Sequence, residues 1–176
     1  MDGVIIDHVG AKIRLAAEYG FSLQPQETPS EILKNIIPKN ILSEIKHRLY
    51  ESPEIIFSAP PMQGVIDALQ TLRDNGVPFF LISRRNPKIA EEILKYHKLW
   101  PKFFNENNTS FVVHSEDKAA ETVRFGINYF LDDEREVLDK LSTINNKFLF
   151  DPYDALEKNP AYVKIGSWQE FIKQII

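Results

Sequence analysis

The sequence predicts an α/β fold, a doubly wound parallel sheet with a small inserted helical cap, and three observations carry that expectation. Four short apolar runs lie in the second half: Val77–Ile82, Ser110–Val113, Ile127–Leu131 and Lys147–Phe150. They are apolar on both faces, as strands covered by helices on both sides are. Helical patterns separate them, and the stretch between Asp7 and Val77 is helical with no convincing strand.

Taken in order, a short N-terminal strand within residues 1–7 opens the chain. Helical segments follow at Ala11–Tyr19, after a Thr28-Pro29-Ser30-Glu31 capping box, and from about Asn40 to Tyr50. Pro38 separates the last two, because proline inside a helix removes a hydrogen bond and clashes with the preceding turn. Gly64–Asn75 sets Val65, Ile66, Leu69 and Leu72 on one stripe and stops at Asn75-Gly76. Asn86-Pro87 reads as an N-cap with proline at the first helical position. Ser167 and Glu170 have the spacing of a capping box that opens the last helix. Strand and helix in alternation give a right-handed, Rossmann-like sheet. Residues 1–7 and 63–176 form its core, with residues 8–62 as the helical insertion.

Composition narrows the function classes. A chain of 176 residues is long enough to bury a substantial core. The net charge of −4 argues against nucleic-acid binding through a broad basic surface, while leaving room for a small anionic substrate. With no cysteine, thiolate nucleophiles and cysteine-ligated zinc are excluded. No apolar run approaches the roughly 18 residues of a membrane span, and no signal peptide opens the sequence. A cytoplasmic protein without a membrane partner is the default expectation, with oligomeric state open.

Chemistry concentrates after the apolar runs. Val77–Ile82 ends in Ser83-Arg84-Arg85, and Ser110–Val113 leads through His114 and Ser115 to Lys118. Ile127–Leu131 ends in Asp132-Asp133-Glu134, and Lys147–Phe150 in Asp151. Ligands of open parallel sheets bind beyond the carboxyl ends of the strands, so these groups share one rim. Adjacent carboxylates such as Asp132 and Asp133 are costly unless a cation neutralises them, and hard oxygen ligands suit Mg²⁺. A hydroxyl and a lysine nearby suit phosphate oxygens, which points to phosphoryl transfer. The alternatives are ordinary ones: acids favour a helix N-terminus, and isolated lysines and arginines are commonly solvated. The four histidines show no metal-ligand spacing.

The set resembles the haloacid dehalogenase-like (HAD) phosphohydrolases. Met1-Asp2-Gly3-Val4-Ile5-Ile6-Asp7 is similar to that family's first motif from its second position onward. Ile82-Ser83 matches the second motif, Lys118 the third and Phe130-Leu131-Asp132-Asp133 the fourth. A helical insertion between the first two motifs is the C1 cap arrangement. Within the family, the short cap and the paired acids look most like the 5′(3′)-deoxyribonucleotidase branch. The resemblance implies a Mg²⁺-dependent phosphatase acting on a small phosphorylated metabolite such as a nucleoside monophosphate. Asp2 would be the general acid/base, its carbonyl also touching the metal. Ser83 and Lys118 would hold and neutralise the phosphoryl group, and Asp132 and Asp133 would bind Mg²⁺. Arg84 or Arg85 would contact the substrate, an inference from position and not from a motif. The family's nucleophile stands two places before Asp2, so the expectation puts it, and the apolar strand leading to it, just upstream of Met1. Making Asp7 the nucleophile instead puts Val9 where the second acid belongs.

Two other functions fit parts of the pattern. A catalytically inactive HAD-like module would bind a phosphorylated ligand or a protein partner without turnover. A phosphoacceptor receiver domain also uses paired acids, a hydroxyl and a lysine, but its paired acids come early, whereas Asp132 and Asp133 come late.

Overall fold

The computed structural model describes all 176 residues. The chain opens with α1 (Val9–Glu18), α2 (Ser30–Ile36), α3 (Lys39–Glu51) and the single turn α4 (Pro53–Ile56). Leu15, Leu33, Ile45 and Leu49 from the first three helices, with Ile37 between α2 and α3, form an apolar cluster of their own. The α2–α3 break falls at Ile37, which is extended because a proline follows it. The expected cap on α2 does not form. Pro29 sits at the N-cap, Thr28 donates its hydroxyl back to the Pro25 carbonyl at 2.7 Å, and Glu31 accepts from Arg135. The reciprocal box lies one turn earlier, where Gln24 and Glu27 cap a 3₁₀ turn at Pro25–Glu27.

From there helices and strands alternate: α5 (Val65–Asp74), β1 (Leu81–Ser83), α6 (Pro87–Tyr96), β2 (Thr109–Phe111), α7 (Asp117–Arg124), β3 (Tyr129–Asp132), α8 (Arg135–Lys140), β4 (Asn146–Phe150), β5 (Val163–Ile165) and α9 (Trp168–Ile172). Asn86 caps α6 by accepting from the amides of Lys88 and Ile89, and Ser167 caps α9 by accepting from Glu170. Every strand pair is parallel, as expected of a doubly wound sheet. β5 carries no apolar run, because it is three residues long at a sheet edge with Val163 exposed. No helix is long and apolar enough to cross a membrane.

The strands form two sheets, β1–β2 and β3–β4–β5, and β1 does not pair with β3. An apolar cavity of about 380 Å³ lies between those two edges, walled by Phe79, Phe80, Ile82, Phe130, Leu131 and Trp168 among others. Of the expected strand Val77–Ile82 only Leu81 and Ile82 pair, together with Ser83 beyond it. Pro78 has no amide to donate, and residues 77–80 have no strand beside them.

The N-terminus corrects the expectation of a strand. Gly3 adopts a left-handed φ of +78° and reverses the chain, so the Met1 carbonyl accepts from the amides of Ile5 and Ile6 at 2.8 and 3.1 Å. Only single bridges, Asp2 to Ile6 and Ile6 to Pro61, remain of strand character. Val4, Ile5 and Ile6 are instead a buried plug in the main core. The indole of Trp168 fixes it by donating to the Val4 carbonyl at 2.9 Å.

Trp168→Phe keeps most of the ring packing but strands that buried carbonyl, at a cost of about 1–3 kcal/mol. Chemical denaturation of the variant should show that loss. Unchanged stability would mean the indole bond does not hold the plug.

Candidate functional site

Asp2, Ser83, Arg84, Arg85, Lys118, Asp132 and Asp133 all line a single polar cavity of about 560 Å³. It sits where β1 and β3 end, because Ser83 is the last residue of β1 and Asp132 the last of β3. The helical segment supplies the opposite wall through Lys12, Lys46 and Tyr50.

Two ion pairs organise the floor, one buried and one part-buried. Lys118, at the start of α7, donates its Nζ to Asp132 Oδ2 at 2.6 Å, and both side chains are more than nine-tenths buried. Asp132 Oδ1 accepts from the Glu134 amide at 3.0 Å, which fixes the carboxylate at the start of α8. In the second pair, Arg85 donates to Asp2 Oδ1 at 2.8 Å. The same oxygen lies 2.7 Å from His8 Nε2. Arg85 also donates to the Tyr50 carbonyl at 3.2 Å, and its guanidinium lies over the Tyr50 ring. It thereby joins the end of β1, the N-terminal turn and α3.

The acids differ in charge state for physical reasons. Burial alone would raise Asp2, but the hydrogen bond to His8 and the Arg85 charge outweigh it and hold the carboxyl well below its usual range. Asp133 has no such partner. Burial and the neighbouring charge of Asp132 push it up to about 7, with Lys12 only partly opposing them. Burial also lowers Lys12, against the pull of Asp133 and Glu134. Asp133 packs against the chain at Gly3, where a Cβ would come within 2.1 Å of its carboxylate oxygen. A side chain there would therefore be excluded by space as well as by the positive φ.

Ser83 is buried, and its hydroxyl accepts from the Arg85 amide at 3.2 Å. Arg84 is exposed at the rim and pairs with Glu134 at 2.6 Å. Asp7 lies outside this cavity and accepts from the Val9 amide at the start of α1. His114 does not reach the cavity either. His8, Lys12, Lys46 and Tyr50 are the residues that sequence reasoning missed. A single lysine or histidine next to a helical stripe gives no signal of its own, and only the fold shows which face of α1 and α3 meets the rim.

The donor chemistry suits a hydrated Mg²⁺, although no three histidine or acidic side chains converge into a ready cage. Mg²⁺ needs only one or two carboxylates, with water completing its shell. Asp133, half-buried beside Asp132 with its carboxyl raised, is the group such a cation would relieve.

Comparison with known proteins agrees with this geometry. The fold is that of the HAD-like hydrolases. A HAD-like family hydrolase from Streptococcus pneumoniae superposes with a TM-score of 0.67 at 15% identity, over 100% of this chain and 95% of that one. A candidate β-phosphoglucomutase from Thermotoga maritima gives 0.61 at 19% identity, over 100% and 97%. A subfamily IA HAD hydrolase from Geobacter sulfurreducens gives 0.59 at 17% identity, over 99% and 93%. No family model and no curated protein matches the chain in sequence.

The raised carboxyl of Asp133 sets a pH dependence. The folded state holds a proton there between the ordinary carboxyl value of 3.8 and about 7 that the unfolded chain has released. Without divalent cations, this group makes stability fall as pH rises through that window. Asp133→Asn should flatten that fall in thermal melts taken between those limits. An equal slope in the variant would contradict the assignment.

Proposed function

We propose that the chain is a Mg²⁺-dependent phosphomonoester hydrolase acting on a small phosphorylated metabolite, with nucleoside monophosphates as the first substrates to test. The observation that carries the reading is the single polar cavity, into which β1 delivers a serine and two arginines while β3 delivers paired acids beside Lys118. Phosphoryl transfer is catalysed mainly by positioning and charge neutralisation, and this set offers both.

In this reading the Ser83 hydroxyl donates to a phosphoryl oxygen and Lys118 neutralises the charge that builds there. Arg84, at the rim, is the cation that can swing from Glu134 to the substrate. Arg85 acts one step back by holding Asp2. Asp2 is ionised under these contacts, the form that accepts a proton from water; protonating the leaving oxygen requires the Arg85 pair to open. Asp132, Asp133 and the Asp2 carbonyl would hold Mg²⁺, which supplies electrostatic stabilisation of the phosphate oxygens. The nucleophile of this chemistry is assigned to an aspartate upstream of Met1. Asp2 and Asp132 are already paired with cations, and Asp133 is packed against Gly3. Those engagements also favour a second reading, a module that binds phosphorylated ligands without turning them over.

Mg²⁺-dependent phosphate release from nucleoside monophosphates and sugar phosphates separates the two. The chain should be compared with a version extended before Met1 by an apolar strand ending in aspartate. The hydrolase reading expects turnover in the extended protein, reduced about 10²–10³-fold by Lys118→Met or Asp132→Asn. Silence in both, with phosphate still bound, would establish the binding module.

A further inference from the structure

We infer that the polar cavity takes a substrate with two separate anionic groups: a phosphoryl group at the floor, and a second phosphate or a carboxylate held by Lys12 and Lys46 on the helical wall. The inference rests on the phosphate-site reading given above and narrows its substrate class.

The cations lining the cavity fall into two sets. On the floor and rim, Arg84, Arg85 and Lys118 are paired with Glu134, Asp2 and Asp132. On the facing wall, Lys12 from α1 and Lys46 from α3 have no carboxylate partner. Lys12 is half-buried and donates to the Thr28 carbonyl at 2.9 Å, and the floor acids act on it only at longer range. Lys46 is exposed at the mouth of the same wall. Glu51, the acid on this wall, sits 3.5 Å from His47 instead. An ammonium partly withdrawn from water and answered only by a carbonyl gains from an anion, because a bond between two charged groups is stronger than one to a neutral acceptor.

The lining argues against a nucleobase in that position. Tyr50 is the one Phe, Tyr or Trp that lines the cavity. Its ring is already engaged, with the Arg85 guanidinium 5.1 Å from the centroid and His8 set edge-on against it. The volume of about 560 Å³ lies within the range of small-molecule pockets, so one metabolite can reach floor and wall together.

Isothermal calorimetry on the whole chain, with Mg²⁺ present, tests this with matched ligands that differ by one anionic group. The pairs are 3-phosphoglycerate against glycerol 3-phosphate, and fructose 1,6-bisphosphate against fructose 6-phosphate. The doubly anionic member of at least one pair should bind about tenfold more tightly, and the responding pair tells a carboxylate from a second phosphate. Lys46→Gln should erase most of that preference, and Lys46→Arg should retain it. Lys39→Gln, which removes a charge from α3 outside the cavity, should retain it too. Equal affinities within both pairs, a preference that survives Lys46→Gln, one lost in Lys39→Gln, or tighter binding of adenosine monophosphate than of either double anion would overturn the inference and leave the floor site standing. Failure of every phosphate to bind, inorganic phosphate included, would remove the floor site and this inference together.

Discussion

The failure of β1 and β3 to pair is the constraint on which the rest of the structure depends. Parallel strands normally stack about 4.8 Å apart, yet here two edges face one another across an apolar space. Aromatic pairs help shape its walls: Phe79 packs edge-on against Phe104, and Phe80 stacks on Phe125. Below it, the N-terminal plug of Met1, Val4 and Ile5 is tied to α9 through Trp168. Because Ser83 and Asp132 cap these same two strands, the spacing of β1 and β3 also sets the distance across the polar cavity.

Electrostatics close that cavity where hydrogen-bonded sheet does not. Arg85 reaches from the end of β1 to Asp2 and the Tyr50 carbonyl, while Lys118 reaches Asp132. Buried charges left unpaired cost several kcal/mol each, so both pairs hold the rim together as well as ordering it. Asp133 is the exception, a half-buried acid whose carboxyl is pushed up to about 7 by desolvation and the neighbouring charge of Asp132. A cation placed beside it would favour its ionised form.

Much of this was legible in the residues. Asn86-Pro87 and Ser167 announced two helix starts that the backbone realises, and the apolar runs marked β1 to β4 within a few residues. Placing Ser83, Lys118 and Asp132 at one rim needed only the rule that ligands gather beyond strand ends. The N-terminal turn was not legible, because Val4-Ile5-Ile6 reads as a strand until Gly3 reverses the chain. Nor was the Arg85–Asp2 pair, which joins residues far apart in sequence through a contact made only by the fold. The Thr28–Glu31 box had the right spacing, but Glu31 has a stronger partner in Arg135, a bidentate cation beyond local reach.

The central claim is that Ser83, Lys118 and the paired acids form one phosphate-binding site. A crystal structure of the protein with tungstate, a phosphate mimic, and Mg²⁺ tests it most directly. The account predicts the anion between the Ser83 hydroxyl and the Lys118 ammonium, with the cation against Asp132 and Asp133. Tungstate bound elsewhere, with the Lys118–Asp132 pair closed and both acids bare, would contradict it.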